Sequence, residues 1–295
     1  MPTRDDMRTK LPDVFRVNGW GLTPSGGLFA AVSAEAFCVF MPEPVLIDCG
    51  SHLTAAEMRA NLDALGVSPA DLRWVIGTHA HWDHIDNMHW IQQESAARFA
   101  IHVDDADMAE QGFHDDLSPN IFGLPVRVDR RLHHGEVLQV GQRTFRCFHL
   151  RGHSPGSAAI LTQSADGRHV AFVGDALHGV LAPLPGQDIH ALLKRWAAAL
   201  ADLLKEPIDI LFEGHAMPEL PDLTSLTPQQ RATYVDDTLA QLEDQRRGVD
   251  FPQRMIAERQ FMLAKGVLHF PDHYISLACD RALDGASTPD AKNGQ

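Results

Sequence analysis

The sequence predicts a mixed α/β fold in which two sheets are sandwiched between helices. Three observations point there. Short apolar runs alternate with helical periods over the first hundred residues, a pattern that implies layers of strand and helix. Five strand-like runs then follow one another between residues 126 and 174 with only short turns between them, and read as an antiparallel meander. An amphipathic helix and a further strand complete the pattern by residue 214.

"PVLID" (44–48) is a short apolar run that ends in Asp48-Cys49-Gly50, as a buried strand meeting a loop does. "TAAEMRANLDALGV" opens with Thr54 and Glu57 in capping-box spacing and closes at Gly66, so a helix is expected. "LRWVIG" (72–77) is a second buried strand, residues from Asp86 to about Ala97 have a helical period, and "RFAIHV" (98–103) returns to strand. The meander consists of "VRVDRRL", "EVLQV", "RTFRCFHL", "AAILTQ" and "RHVAFVG". "DIHALLKRWAAALADLL" (188–204) is the clearest amphipathic helix, and "IDILFEG" (208–214) is a strand behind it. A Pro-rich connection follows His215, then two further helices in "TPQQRATYVDDTLAQLEDQRRG" and "PQRMIAERQFMLAKG". The terminal "DGASTPDAKNGQ" reads as a frayed tail.

Length and composition set bounds. At 295 residues the chain makes one large domain or two small ones, and 44 % hydrophobic residues allow a sizeable core. A formal net charge of -14 argues against a nucleic-acid footprint, which needs clustered Lys and Arg to displace counterions. The four cysteines, Cys38, Cys49, Cys147 and Cys279, are far apart and form no CxxC, so neither a zinc knuckle nor a dense disulfide framework is indicated. The N-terminal "MPTRDDMRTKLPDVF" has no apolar signal-peptide core. No run of ~18 apolar residues offers a membrane span. A soluble, reduced, cytoplasmic protein with no membrane or nucleic-acid partner is expected.

Function is carried by "THAHWDHIDN" (78–87), three histidines and two aspartates in ten residues just after an apolar strand. His79 and His81 share a direction only in extended backbone, while the adjacent Asp83 and His84 diverge. One loop can therefore feed two metals, His79 and His81 on one, Asp83 and His84 on the other. The bland alternative is a polar turn of solvated histidines. Against it, ligand-type residues recur beside glycines after later apolar runs: His153 in "RGHSPGS", Asp175 in "FVGDAL" and His215 in "FEGHAMP". Neutral imidazole and carboxylate suit borderline divalent ions such as Zn²⁺, with Fe or Mn as alternatives. Two close cations need a shared anion, and Asp175 is the bridge this set offers. Trp82 reads as packing or a pocket wall, and Cys49 as a small buried residue.

His79-Ala80-His81-Trp82-Asp83-His84, followed by His153, Asp175 and His215, resembles the metallo-β-lactamase superfamily in its dinuclear hydrolase form. The resemblance runs from Asp48 to His215. It implies an αββα sandwich with the site at one edge, in a catalytic domain of residues 1–217 followed by a C-terminal helical extension, 218–295. It implies His79, His81 and His153 on a first metal, Asp83, His84 and His215 on a second, and Asp175 between them. Asp48 matches the family's aspartate that buttresses a ligand histidine. The aspartate at 175 departs from the true β-lactamases, and His81 departs from the flavodiiron proteins. What remains resembles glyoxalase II-type thioesterases and quorum-signal lactonases. The lactonase branch has a tyrosine where this chain has His178, and the basic glutathione-binding set of glyoxalase II is not evident in the C-terminal helices.

The expected activity is hydrolysis of an ester, thioester or lactone of a small molecule by a hydroxide held between two divalent ions, with Asp83 or His178 protonating the leaving group. A phosphodiesterase, a mononuclear iron persulfide dioxygenase and a non-enzymatic metal-binding protein are the rivals. The C-terminal helices are expected to wall the substrate pocket, to form a homodimer face, or simply to cover the sheet.

Overall fold

The computed structural model describes residues 2–19, 22, 34–40, 43–112, 123–177, 188–215 and 240–265. Two six-stranded sheets carry the architecture. The first contains β1 (Val14–Asn18), β2 (Ala36–Val39), β3 (Val45–Ile47), β4 (Trp74–Ile76), β5 (Arg98–His102) and β6 (Arg130–Leu132), side by side in chain order. β1, β2 and β3 pair antiparallel, and β3 to β6 pair parallel. The second contains β7 (Val137–Val140), β8 (Arg143–His149), β9 (Ala158–Gln163), β10 (His169–Gly174), β11 (Ile210–Glu213) and β12 (Val249–Asp250), again in chain order. Its pairings are antiparallel except β10 with β11.

Parallel neighbours need crossover connections, and helices supply most of them. α1 (Ala55–Ala64) links β3 to β4. α2 (Trp82–Ile85) and α3 (Met88–Glu94) link β4 to β5, and α4 (Val103–Gln111) follows β5. α5 (Ile189–Leu203) crosses from β10 to β11, and α6 (Gln253–Lys265) follows β12. Three apolar layers result. Phe37, Ile47 and Ile76 of the first sheet meet Phe145, Phe172 and Phe212 of the second. The outer face of the first sheet packs Leu46, Val75 and Phe99 on Met58, Leu62 and Met88. The outer face of the second packs Leu161, Val173 and Leu211 on Leu193, Trp196 and Leu200. The molecule is an αββα sandwich, as the resemblance implied.

Three local expectations are corrected. "VRVDRRL" is not part of the meander: only Arg130–Leu132 is strand, and it lies parallel to β5 at the edge of the first sheet. The capping box at Thr54 does not form. Ser51 caps a short 3₁₀ turn ahead of the helix, and Thr54 Oγ1 instead donates to the Ser51 carbonyl at 2.9 Å. "WDHI" is not loop but the single turn α2, entered from His81 in extended conformation. The strands β1 and β2 and the helix α4 were not anticipated.

The predicted helix in "TPQQRATYVDDTLAQLEDQRRG" is described over residues 240–246, and α6 matches the second predicted C-terminal helix. β12 adds to the edge of the second sheet beside β11, and Ile256 of α6 is buried in the outer core. A buried ionic cluster ties this region to the N-terminal hairpin. Glu35 Oε2 accepts from Arg16 Nε at 3.0 Å, and Glu35 Oε1 lies 2.9 Å from Arg246 Nε. The Pro-rich connection, the predicted tail and His178 lie outside the described residues.

Candidate metal centre

The seven predicted side chains are delivered by the C-terminal ends of four strands. β4 leads into Gly77 and Thr78, then His79 and His81, and α2 carries Asp83 and His84. His153 follows β8 through a turn in which Arg151 has φ 59°. Asp175 follows β10 directly, and His215 lies two residues beyond β11. One edge of the sandwich thus collects residues from both sheets.

They form two triads. His81 Nδ1 lies 2.9 Å from His79 Nε2 and 3.0 Å from His153 Nε2. Asp83 Oδ2 lies 3.0 Å from His215 Nε2 and 3.8 Å from His84 Nε2. Asp175 stands between the triads. Its Oδ2 is 3.4 Å from His153 Nε2 in the first and 3.5 Å from His215 Nε2 in the second, while Oδ1 is 3.3 Å from His84 Nε2. Tetrahedral coordination at ~2.0–2.1 Å puts ligand atoms ~3.3–3.4 Å apart, close to these spacings. His84 Nε2 and Asp175 Oδ1 are also buried without a hydrogen-bond partner. Buried polar atoms are ordinarily satisfied, so orphans facing one another across a nitrogen- and oxygen-lined gap fit cations.

The surroundings fix which imidazole nitrogen faces inward. Asp48 Oδ2 accepts from His84 Nδ1 at 2.9 Å, leaving Nε2 for the centre. Thr78 Oγ1 donates to the same carboxylate at 2.8 Å and accepts from His79 Nδ1 at 3.2 Å. One aspartate therefore orients one histidine of each triad. Asp48 reaches this position with φ 52°, a conformation rare outside glycine that aspartate tolerates better than most residues. Thr78 gave no sequence signal beyond its place beside His79. Gly214 is required by close approach: a Cβ there would lie 2.3 Å from Asp175 Oδ1 and 2.5 Å from His84 Cε1.

Electrostatics divide the triads. Burial holds His79 well below the usual imidazole range, and its histidine neighbours add to the effect. Burial takes His81 down to about 4. Burial also opposes charge on His84, but Asp175, Asp83 and the bond to Asp48 outweigh it and raise its pKa well above normal. His215 is raised too, against its burial, by Asp175 and Asp83. The two carboxyls go the other way: against burial, His215 and His84 hold Asp175 well below the usual range, and His84 and His215 lower Asp83. His79 and His81 are thus neutral, as metal ligands must be, whereas His84 and His215 hold protons against Asp83 and Asp175, and a cation binding there would release those protons.

A further group, His102, Asp104 and His149, is not built in this way. The two rings stack with centroids 3.7 Å apart, so their lone pairs do not converge, and His149 Nε2 is engaged by the Pro155 carbonyl at 2.8 Å. Cys49 is a small buried residue whose Sγ donates to the Ile85 carbonyl at 3.3 Å, and Trp82 is half-buried. Asp105 gave no sequence signal either: an acid in the first turn of a helix is commonplace. Its carboxylate nevertheless reaches both loops of the first triad, accepting from Ala80 N at 2.9 Å and Ser154 Oγ at 2.6 Å.

Residues 43–215 match the model of a family described as the metallo-beta-lactamase superfamily. A probable metallo-hydrolase of Burkholderia pseudomallei is 29 % identical over 162 residues, 48 % of this chain and 51 % of that protein. The match therefore spans about half the length of that relative. Metallo-beta-lactamase domain-containing protein 1 of Homo sapiens is 38 % identical over 64 residues, 22 % of each chain. Among solved structures, the HARLDQ-motif metallo-β-lactamase of Cronobacter sakazakii superposes with a TM-score of 0.63 at 21 % identity, covering 86 % of this chain and 91 % of that one. The metallo-β-lactamase SMB-1 superposes with a TM-score of 0.63 at 17 % identity, covering 88 % and 94 %. At these identities the structures speak for the fold. Among the described residues, no helix is long and apolar enough to cross a membrane.

Proposed function

Because this chain belongs to the metallo-β-lactamase superfamily, we propose that it is a metallo-hydrolase that opens an ester, thioester or lactone of a small molecule. We assign His79, His81 and His153 to one divalent ion and Asp83, His84 and His215 to a second, with Asp175 between them. The single observation that carries this reading is Asp175 Oδ2, 3.4 Å from a nitrogen of one triad and 3.5 Å from a nitrogen of the other. Such a carboxylate can serve two cations at once. Zn²⁺ suits the nitrogen and oxygen donors, with Fe or Mn as alternatives. The catalytic domain is taken as residues 1–217 and the extension as 218–295.

When bound, the two ions supply an acidified water, with a pKa lowered to ~7, and polarise the scissile carbonyl. The chain's own residues do the rest. Asp48 holds His84 directly and His79 through Thr78, so both rings keep their Nε2 atoms inward. The first triad is the more buried, His153 keeping 8 % side-chain exposure, whereas His215 and Asp83 retain 22 % and 14 %. Substrate therefore enters on the Asp83–His215 side. There Asp83 is assigned the transfer of a proton to the leaving group. His178, three residues after Asp175, is assigned the same task or a hydrogen bond to the substrate carbonyl. The bridging aspartate favours carbonyl esters over β-lactams, the departure noted from the sequence. The partner is a small molecule, and the C-terminal helices, of which α6 covers the outer face of the second sheet through Ile256, are assigned a pocket wall or homodimer face where they do more than cover it.

Metal analysis by mass spectrometry, paired with an ester, a thioester, a lactone, a β-lactam and bis(p-nitrophenyl) phosphate, tests the proposal. Two ions per chain and turnover of a carbonyl ester class are expected. One iron per chain returns the reading to a dioxygenase, and turnover of the phosphodiester alone returns it to a phosphodiesterase.

A further inference from the structure

We propose that Asp105 is a positioning residue that sets the geometry of the His79/His81/His153 triad by clamping its two ligand-bearing loops together. The inference rests on that triad being a metal site. The loops come from different sheets. His79 and His81 follow β4 of the first, and His153 follows β8 of the second. No β-ladder fixes the distance between them; one backbone bond, from Ala158 N to the Thr78 carbonyl at 2.9 Å, joins the strand after the His153 loop to the residue before His79, and the ligand residues themselves lie beyond it.

Asp105 lies beside both loops, in the first turn of α4, with no exposed surface. Oδ2 accepts from the backbone N of Ala80, the residue between His79 and His81, at 2.9 Å. The same oxygen accepts from Ser154 Oγ, next to His153, at 2.6 Å. Oδ1 accepts from Gly156 N at 2.6 Å. One carboxylate thus holds three donors drawn from both loops. The serine side is itself braced, since Ser157 Oγ accepts from Ser154 N at 2.9 Å and lies 2.8 Å from Ser154 Oγ. The fit leaves no slack. A Cβ on Gly156 would lie 2.6 Å from Asp105 N and 2.7 Å from its Cβ and Cγ. These hydrogen bonds involve no residue of the second triad; Asp48 supports that one through His84 and reaches the first only through Thr78 and His79.

Metal sites tolerate donor displacements of only about 0.2 Å, so a clamp on two loops controls affinity without touching the ion. A buried aspartate that serves only the fold predicts something different: both triads weaken together, along with the metal-free protein. The full chain is therefore loaded with Co²⁺ as wild type, Asp105→Asn and Ser154→Ala, and each is titrated with a competing chelator. The Co²⁺-shifted imidazole N–H resonances of His79 and His84 report the first and second triads separately. Asp105→Asn should weaken Co²⁺ at the first triad by roughly 10–100-fold and leave the second unchanged. Ser154→Ala, which removes one donor, should shift the same ratio in the same direction by less. Equal weakening of both triads, or no change at either, overturns the proposal. If Asp105→Asn does not fold, Ser154→Ala decides alone by the same ratio. Wild-type protein that takes no Co²⁺ refutes the metal reading itself. Wild type with two ions and an unchanged ratio in the variants refutes only the clamp.

Discussion

Gly214→Ala adds one methyl group at a position that is not a ligand, and it should dismantle half of the centre. The new Cβ would meet Asp175 Oδ1 at 2.3 Å and His84 Cε1 at 2.5 Å, about an ångström inside ordinary contact distance. The backbone has nowhere to withdraw. Gly214 N donates to the Gly174 carbonyl at 2.8 Å, and its own carbonyl accepts from Glu35 N at 2.7 Å. The strain must then fall on Asp175 and His84, the two residues that face each other across the second triad. Displacement of a reacting group by about 1 Å costs on the order of 10²-fold in rate, and overpacking costs about 1–3 kcal/mol of stability. The expected result is loss of one ion per chain and a fall in kcat/KM of about 10²-fold, measured by mass spectrometry and on whichever substrate the wild type turns over. Gly66→Ala is the control. Its φ of 75° makes it strained, yet nothing lies within 4 Å of its Cβ, so it should lower the melting temperature and leave metal content intact. Wild-type metal content and kinetics in Gly214→Ala would refute the reasoning that close approach at 214 positions the shared carboxylate.

His81→Ala should remove most bound metal and nearly all activity while far-ultraviolet circular dichroism stays native; full metal occupancy would contradict the first triad. Asp175→Ala should leave two triads without a shared anion, so isothermal titration should find weaker binding of the second ion, and two ions at unchanged affinity would place the bridge elsewhere. His178→Ala should lower kcat/KM by roughly 10²–10⁴ with normal metal content, and wild-type kinetics would remove it from the mechanism. Glu35→Gln takes the negative charge from between Arg16 and Arg246, which lie 3.0 and 2.9 Å from its oxygens. Breaking a buried ionic group in this way costs about 3–5 kcal/mol, and urea unfolding that shows no loss would mean solvent reaches the cluster.

The residues of the centre were legible because their spacing is dense and each sits where an apolar run stops. His153, Asp175 and His215 follow strands whose periodicity is plain. What could not be read depends on partners distant in the chain. β1 carries Arg16 in its middle, a residue that reads as solvent-facing until Glu35 and Glu243 are seen to pair with it. β6 has a charged sequence because it is an edge strand, and its parallel partner lies across α4. Asp105 looked like a helix-start acid because its hydrogen-bond donors are 25 to 51 residues away. Hydrophobic period reports which face a residue takes, and these three cases were decided by pairing rather than by face.

The centre draws on both sheets, and this changes what bound metal does to the chain as a polymer. His81 and His153 are 72 residues apart, and Asp83 and His215 are 132 apart. An ion across either pair closes a loop of that length, as a disulfide would, and long closures remove the most freedom from the unfolded chain. Cys38, Cys49 and Cys147 are free thiols, so no covalent bond among the described residues does this work. A cross-link made by the proposed ions would therefore be reversible and set by supply. Ligand at about 100 times its Kd adds about 2.7 kcal/mol per site, which makes resistance to proteolysis a readout of free metal. If the proposed ions bind, a chelating medium would remove this fastening and leave the two sheets joined by their apolar core, so resistance to proteolysis should fall with free metal.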